Sequence, residues 1–261
     1  MRSIPTIGTA VVNSTYWVSK LIMSVDYPVD NFFIVNNNGK GELDAELENL
    51  KNLNKRFIKK ITIANLPGNI GCGGAFNLII KCFINSPYWI MVNDDVTFGL
   101  GFLEEMFTEA EADPTIGLIH GYPGDFNLGS WDLFLIRDHI IQEFGLFDEN
   151  LYPAYCEDAD YIMRFVYKPI KKILSLTKTY YHGNHEKGGY MENGQQTQKT
   201  DTSLVAKFDN SHNLNKEYLD KKWGNGWRLC NPYQTPFENS DMPLSYTTYD
   251  LSFLRKKYLG F

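Results

Sequence analysis

Two groups of carboxylates carry most of the chemistry this sequence can offer. The first is Asp94-Asp95, which follows Asn93 at the end of the wholly apolar run Tyr88 to Val92. In open α/β sheets ligands bind just beyond the carboxyl ends of the strands, so such a pair stands at a binding rim. Consecutive side chains on an extended chain point to opposite sides, which gives the two acids different partners. One can accept from ribose hydroxyls, and the other can bind a hard divalent cation bridging a diphosphate. A solvated turn would explain the same pair without function.

The second group is Glu157-Asp158-x-Asp160, which opens a segment with Ala159, Ile162, Met163 and Val166 as its apolar stripe. Acids in a first helical turn are stabilised by the helix dipole, which accounts for one or two of the three. Asp160 precedes Arg164 by four residues, the spacing of an ordinary helical ion pair. Asp158 lies near the edge of the stripe. Helical side chains lean toward the N-terminus, so it is expected to project beyond the helix start into any cleft there. A carboxylate so placed can take a proton from an attacking hydroxyl.

The elements that must hold these groups alternate between strand and helix patterns through about two thirds of the chain, which predicts a mostly parallel sheet with helices on both faces. Strands are expected at Ile7–Val12, Phe32–Val35, Ile61–Ala64, Tyr88–Val92, Ile116–Ile119 and Leu133–Ile136. Helical spacing marks the stretches around Val18–Val25, Leu43–Leu53, Ala75–Phe83, Phe102–Ala110, Ile140–Phe144 and Ala159–Val166. Beyond Gly183, residues rich in Gly, Asn, Gln and Thr predict a long surface loop or lid, and the Trp-containing tail reads as turns. This gives one domain over residues 1–190, with a first half to about 97 and a second from 98. Residues 191–261 form an extension packed on it.

The turn Gly71-Cys72-Gly73-Gly74 precedes a helix, but Phe76 stands where a dinucleotide fingerprint needs its third small residue, and no GK[ST] follows. The turn reads either as a plain loop-to-helix turn or as backbone lying close to a ligand, with Asn69 and Asn77 as polar contacts. Trp131 is the candidate platform for a sugar's C–H face. His120, His139 and His212 read as structural or exposed.

Bulk composition narrows the partners. With 43% hydrophobic residues the 261-residue chain can bury a full core, and a net charge of -6 argues against a nucleic-acid surface. An acidic protein that handles phosphates needs a cation to offset repulsion. No apolar run is long enough to span a bilayer. The four cysteines have no metal-finger or CxxC spacing. Together these predict a soluble cytoplasmic protein.

The segment Ile90-Met91-Val92-Asn93-Asp94-Asp95-Val96 resembles the metal-binding DxD region of glycosyltransferase family 2. The likeness runs in consistent order from the first strand and Tyr27-Pro28, through Asn69-x-Gly71 with Asn77, to Gly145-x-Phe147-Asp148-Glu149, Glu157-Asp158-x-Asp160 and Lys222-Trp223-Gly224. It implies a GT-A fold and an inverting transfer of sugar from a nucleotide-diphosphate sugar to a hydroxyl of a carbohydrate or glycan acceptor. It further implies a divalent cation, Mn²⁺ or Mg²⁺, held by Asp95 and by His182 (His185 being its near rival). Asp158 becomes the base, with Glu157 and Trp131 on the acceptor side. Val12, Asn36, Asn69, Gly71, Asn77, Asn93 and Asp94 become donor contacts. The chain departs from the family pattern at Asn36 and Asn93, where Asp is common. An amide at Asn36 could pair with the donor–acceptor edge of uracil, which slightly favours a UDP-sugar. Two rivals differ in kind. A sugar nucleotidyltransferase needs a basic glycine-rich loop that Asn13-Ser14-Thr15-Tyr16 does not supply, and a non-catalytic carbohydrate-binding protein needs neither nucleotide nor metal.

Overall fold

The computed structural model describes residues 2–124, 127–183, 185–186 and 202–238, with the backbone alone for 185–186 and 202–210. The expected lid after Gly188 lies outside these residues, as does the side chain of His185.

In chain order the elements are β1 (Ile4–Val11), α1 (Tyr16–Ser24), β2 (Val29–Asn36), α2 (Asp44–Leu50), β3 (Ile58–Asn65), α3 (Gly71–Cys82), β4 (Tyr88–Val92), β5 (Val96–Phe98), α4 (Phe102–Ala112), β6 (Leu118–His120), β7 (Leu133–Arg137), α5 (Asp138–Phe144), α6 (Glu157–Phe165), β8 (Lys172–Ile173), β9 (Tyr180–His182), β10 (His185–Glu186) and α7 (Thr202–Trp223). Seven strands form one sheet in the order β3-β2-β1-β4-β7-β6-β8. β3, β2, β1 and β4 are mutually parallel, and β7 runs antiparallel to β4 and β6. The small second sheet, β10-β9-β5, is antiparallel.

Alternation along β4 explains the layering. Tyr88, Ile90 and Val92 join a core with α1, α2 and α4 on one face. Trp89 and Met91 join a second core with α3, α5 and α6 on the other. Both faces of the strand are therefore dry, as its unbroken apolar sequence requires.

Two elements depart from the sequence reading. The tail expected to be turns contains α7, a helix of 22 residues. Its buried positions Ser211, Asn215, Leu219, Lys222 and Trp223 repeat at helical spacing, but three of the five are polar, so hydrophobicity alone does not reveal the stripe. α6 is also rotated from expectation. It buries Asp160, Tyr161, Met163 and Phe165, while Ala159, Ile162 and Val166 pack less deeply against α7. The rotation is possible because the buried acid is neutralised by cations described below.

Candidate active site

β4 ends at the sheet rim, and the chain turns through Asn93-Asp94-Asp95 into β5. β7 runs antiparallel beside β4, with Val92 opposite Leu133, so the start of β7 lies at that same rim. The Asn93 N–H donates to the Asp132 carbonyl at 2.8 Å and fixes this junction. β9 pairs with β5, bringing His182 opposite Val96, and the Gly183 N–H donates to the Asp95 carbonyl at 2.7 Å. Three distant segments thus place Asp95, Asp132 and His182 together.

His182 lies between the two acids. Its Nε2 is 3.2 Å from Asp95 Oδ1 and its Nδ1 is 3.0 Å from Asp132 Oδ2. Burial works against its charge, but hydrogen bonds to Asp132 and Asp95 outweigh it and push the imidazole up to about 10. Asp132 is further held by the Tyr180 hydroxyl at 2.9 Å. Asn93 Nδ2 is 3.4 Å from His182 Nε2. Asp94 turns the other way, into a cavity, where burial first and Asp95 second push its carboxyl well above the usual range.

Among the described residues no three His, Cys, Asp or Glu side chains form a ready-made metal cage. The pair Asp95 Oδ1 and His182 Nε2 nevertheless fits a cation. Neighbouring ligands of an octahedral ion with bonds of about 2.1 Å are roughly 3 Å apart. The 3.2 Å separation matches that spacing. An ion held by one carboxylate and one imidazole takes the rest of its shell from water and substrate phosphates, as Mg²⁺ and Mn²⁺ commonly do. As a ligand His182 would lose its Nε2 proton and keep the Nδ1–H that donates to Asp132. A carboxylate behind a ligating histidine fixes its tautomer and ring orientation. Asp132 was not anticipated from sequence. Its signal, an acid directly before an apolar strand, becomes legible only once that strand is known to run antiparallel.

The cavity is about 600 Å³ and is lined on one side by Asn93, Asp94, Trp131 and Asp132 and on the other by Glu157, Asp158 and residues of α7. The two acidic groups, 64 residues apart in the chain, therefore face one space. Asp158 accepts from the Ala159 N–H at 2.7 Å, and burial raises its pKa. Burial and the neighbouring Asp158 carry Glu157 up to about 7, against the stabilising contact of the Cys72 thiol. Glu157 Oε2 and Trp131 Nε1 are buried polar atoms with no hydrogen-bond partner among the described residues. Trp131 packs on Phe134, Phe147 and Tyr161, so its ring is half core and half cavity wall.

The other expected donor contacts divide. Val12 and Asn69 sit at the same end of the sheet as the cavity, beyond β1 and β3. The Val12 carbonyl accepts from Asn38 Nδ2, and Asn69 Oδ1 accepts from the Gly71 N–H at 2.7 Å. Gly71 has φ +80°, and a Cβ there would lie 3.0 Å from the Pro153 carbonyl oxygen, so a side chain is excluded where α3 meets the chain leading to α6. Asn36 closes β2. Its amide hydrogens are spent on Asp44 Oδ1 at 2.8 Å and Asn65 Oδ1 at 3.0 Å, and its oxygen accepts from the Asn38 N–H. A donor contact through that amide would need one of these bonds exchanged. Asn77 is engaged in the same way. Its amide donates to the Phe147 carbonyl and Glu149 and accepts from the Phe147 N–H, so it clamps the loop before α6 and has no hydrogen left for a nucleotide.

Behind Asp158 stands a buried network that the simple i,i+4 pair did not foresee. Asp160 accepts from Arg164 and from Trp223 Nε1 at 2.8 Å, and Lys222 Nζ lies 2.6 Å from its Oδ1. The same ammonium is 2.7 Å from Asp148 Oδ2, which also accepts from the Tyr218 hydroxyl. Burial opposes the charge of Asp160, but Arg164 and Lys222 outweigh it and hold the acid down at about 2. Two acids and two bases cancel inside the protein and lock the Asp148 loop, α6 and α7 together.

Sequence comparison decides the lineage: the family model of glycosyl transferase family 2 matches residues 15–169. The chain belongs to that family. Its fold is the GT-A fold. No curated protein sequence matches it. Among solved structures it is similar to the mannosyltransferase PcManGT from Pyrobaculum calidifontis in complex with GDP-Man and Mn²⁺, with TM-score 0.55 and 14% identity over 68% of this chain and 56% of that one. It is also similar to residues 1–349 of S. aureus TarS in complex with UDP, with TM-score 0.51 and 14% identity over 67% of this chain and 59% of that one. The same TarS region in complex with UDP-GlcNAc gives TM-score 0.50 and 13% identity over 71% and 61%. At such identities the likeness is one of fold, and the chain spans between 56% and 61% of the length of these solved chains. Among the described residues no helix is long and apolar enough to cross a membrane.

Proposed function

We propose that this glycosyltransferase is an inverting, divalent-metal-dependent enzyme that moves a sugar from a nucleotide-diphosphate sugar to a hydroxyl of a carbohydrate acceptor. The supporting observation is that Asp158 opens onto the same cavity as Asn93, Asp94 and Asp132, with Asp95 and His182 directly behind Asp132. Residues to about 97 form the donor half, and residues 98–190 the acceptor half. The similar structures that hold GDP-Man with Mn²⁺, or UDP-GlcNAc, support a donor of this chemical class.

Asp95 and His182 would hold the cation, which supplies positive charge against the leaving diphosphate. Asp94 accepts hydroxyls of the donor. Trp131 and Glu157 line the wall against which the acceptor sugar packs. Asp158 takes the proton of the acceptor hydroxyl as that oxygen attacks the anomeric carbon. The new C–O bond forms as the bond to the diphosphate breaks on the opposite side, which inverts the centre. A single base on the acceptor side suits one direct displacement. Its raised pKa makes it a better proton acceptor than an ordinary aspartate.

Asp158→Asn tests this. Transfer should fall by at least about 100-fold, the scale of general-base catalysis. Nucleoside diphosphate binding with Mn²⁺, read by calorimetry, should stay within twofold. Sugar transfer at the parental rate by this variant would remove the base assignment.

A further inference from the structure

The turn that presents Asp158 is held in an unfavourable backbone conformation. Tyr155 and Cys156 both lie in the left-handed region, with φ of 77° and 73°, and neither is glycine. Side chains there crowd their own carbonyls, so such a pair persists only where surroundings enforce it. Cys156 is also the residue immediately before α6, without a side-chain cap on that helix. The direction in which Asp158 leaves the helix is therefore set by this turn.

One side chain outside the turn grips it. Asn215 on α7 is buried, and its Nδ2 donates to the Ala154 carbonyl at 3.0 Å and to the Tyr155 carbonyl at 2.9 Å. Both amide hydrogens are used on successive carbonyls of the left-handed turn. Three further α7 side chains fix the helix that carries Asn215. Lys222 bridges Asp148 and Asp160, Trp223 donates to Asp160, and Tyr218 donates to Asp148. Leu219 and Trp223 pack with Leu151, Cys156 and Met163. All of α7 lies beyond residues 15–169, which the family model matches.

We propose that Asn215 is a positioning residue for catalysis: from α7 it braces the left-handed Tyr155–Cys156 turn and so aims Asp158 at the acceptor hydroxyl. This rests on the assignment of Asp158 as base. Without the brace, the strained turn relaxes and α6 starts from a different angle. Near-attack geometry is sensitive to shifts of about 1 Å, each able to cost on the order of 100-fold in rate.

The test uses the full chain with a nucleotide-sugar donor and Mn²⁺. Asn215→Ala should lower kcat about 10- to 100-fold. Its affinity for nucleoside diphosphate with Mn²⁺ should stay within twofold, because the brace does not touch the donor rim. Amide hydrogen exchange over residues 154–160 should rise, with α3 and β4 unchanged. Cys156→Gly in the Asn215→Ala background should recover most of the lost kcat, since glycine holds the left-handed conformation without a brace. The isosteric Asn215→Asp, which cannot donate to two carbonyls, should repeat the loss with the fold intact. A kcat within twofold of the parent, a parallel loss of nucleotide affinity, or no recovery with glycine would each overturn the proposal. An Asp158→Asn variant at full activity would instead strike the base assignment. The exchange measurement would then still decide whether Asn215 holds the turn.

Discussion

Replacing Lys222 by Met should destabilise this protein by about 3–5 kcal/mol, the usual cost of breaking a buried ion pair from one side. The ammonium has no solvent exposure and lies 2.7 Å from Asp148 and 2.6 Å from Asp160. At an effective dielectric of about 20, each contact carries a gross attraction of roughly 6 kcal/mol, most of which is consumed in taking the ions out of water. Methionine removes the attraction but leaves both carboxylates in place. Asp160 keeps Arg164 and the Trp223 N–H. Among the described residues the hydrogen-bond partners left to Asp148 are neutral, the Tyr218 hydroxyl and the Asn150 side chain and N–H, with Arg164 attracting it from further off. The uncovered charge is therefore one carboxylate, and the neutral donors hold the cost near the lower end of the range. Urea unfolding followed by tryptophan fluorescence reads it directly, because Trp223 belongs to the network. In thermal unfolding the loss corresponds to roughly 6–20 °C. Adding Asp148→Asn to Lys222→Met removes the stranded charge and should restore part of the loss. A Lys222→Met variant within 1 kcal/mol of the parent, or a double variant weaker than the single, would refute the claim that Lys222 neutralises both acids.

Glu157→Gln should change stability in the opposite sense. The carboxyl titrates at about 7 in the folded chain against an ordinary 4.5. The folded state thus holds the extra proton between these values, so stability falls as pH rises from 4.5 to 7 and stays low above. The 2.5-unit difference sets a ceiling of about 3 kcal/mol, so the glutamine variant should be more stable than the parent at pH 8 and equal to it near pH 4; chemical unfolding at both pH values checks the crossover. Asp132→Asn should weaken Mn²⁺ binding by about 10- to 100-fold, the scale for losing the carboxylate behind a ligating histidine. Electron paramagnetic resonance of free Mn²⁺ reads this without any turnover, and unchanged affinity would leave Asp132 with a role in packing only.

The donor side was the more legible half of the sequence. β4 is so uniformly apolar that its ends, Tyr88 and Val92, read the same in sequence and structure, and the carboxylates beyond it fall at the rim where parallel strands put them. Asp132 escaped because the same rule looks only past strand ends, whereas β7 begins at the rim. The acceptor side was obscured by buried charge. Asp160, Arg164 and Lys222 look like surface residues by type, so apolar periodicity alone predicts a rotated α6 and turns in place of α7. Asn36 and Asn77 show the converse case. Their positions matched a donor role, but hydrogen bonds inside the fold had already claimed their amides.

The division of charge across the two halves follows from what each must do. The network of Asp148, Asp160, Arg164 and Lys222 sums to zero, and its task is to hold α6 and α7 fixed whatever occupies the cavity. The cavity itself is left acidic by Asp94, Asp132, Glu157 and Asp158, with Asp95 behind. An acidic cavity repels a diphosphate and attracts a cation, so on the proposed mechanism neither the metal nor the donor reaches full affinity alone. Each brings the charge the other lacks. Burial raises both Asp94 and Asp158, and for Asp94 the neighbouring Asp95 adds to it. The burial that makes the charged form of Asp158 costly is also what makes it basic enough to accept a proton.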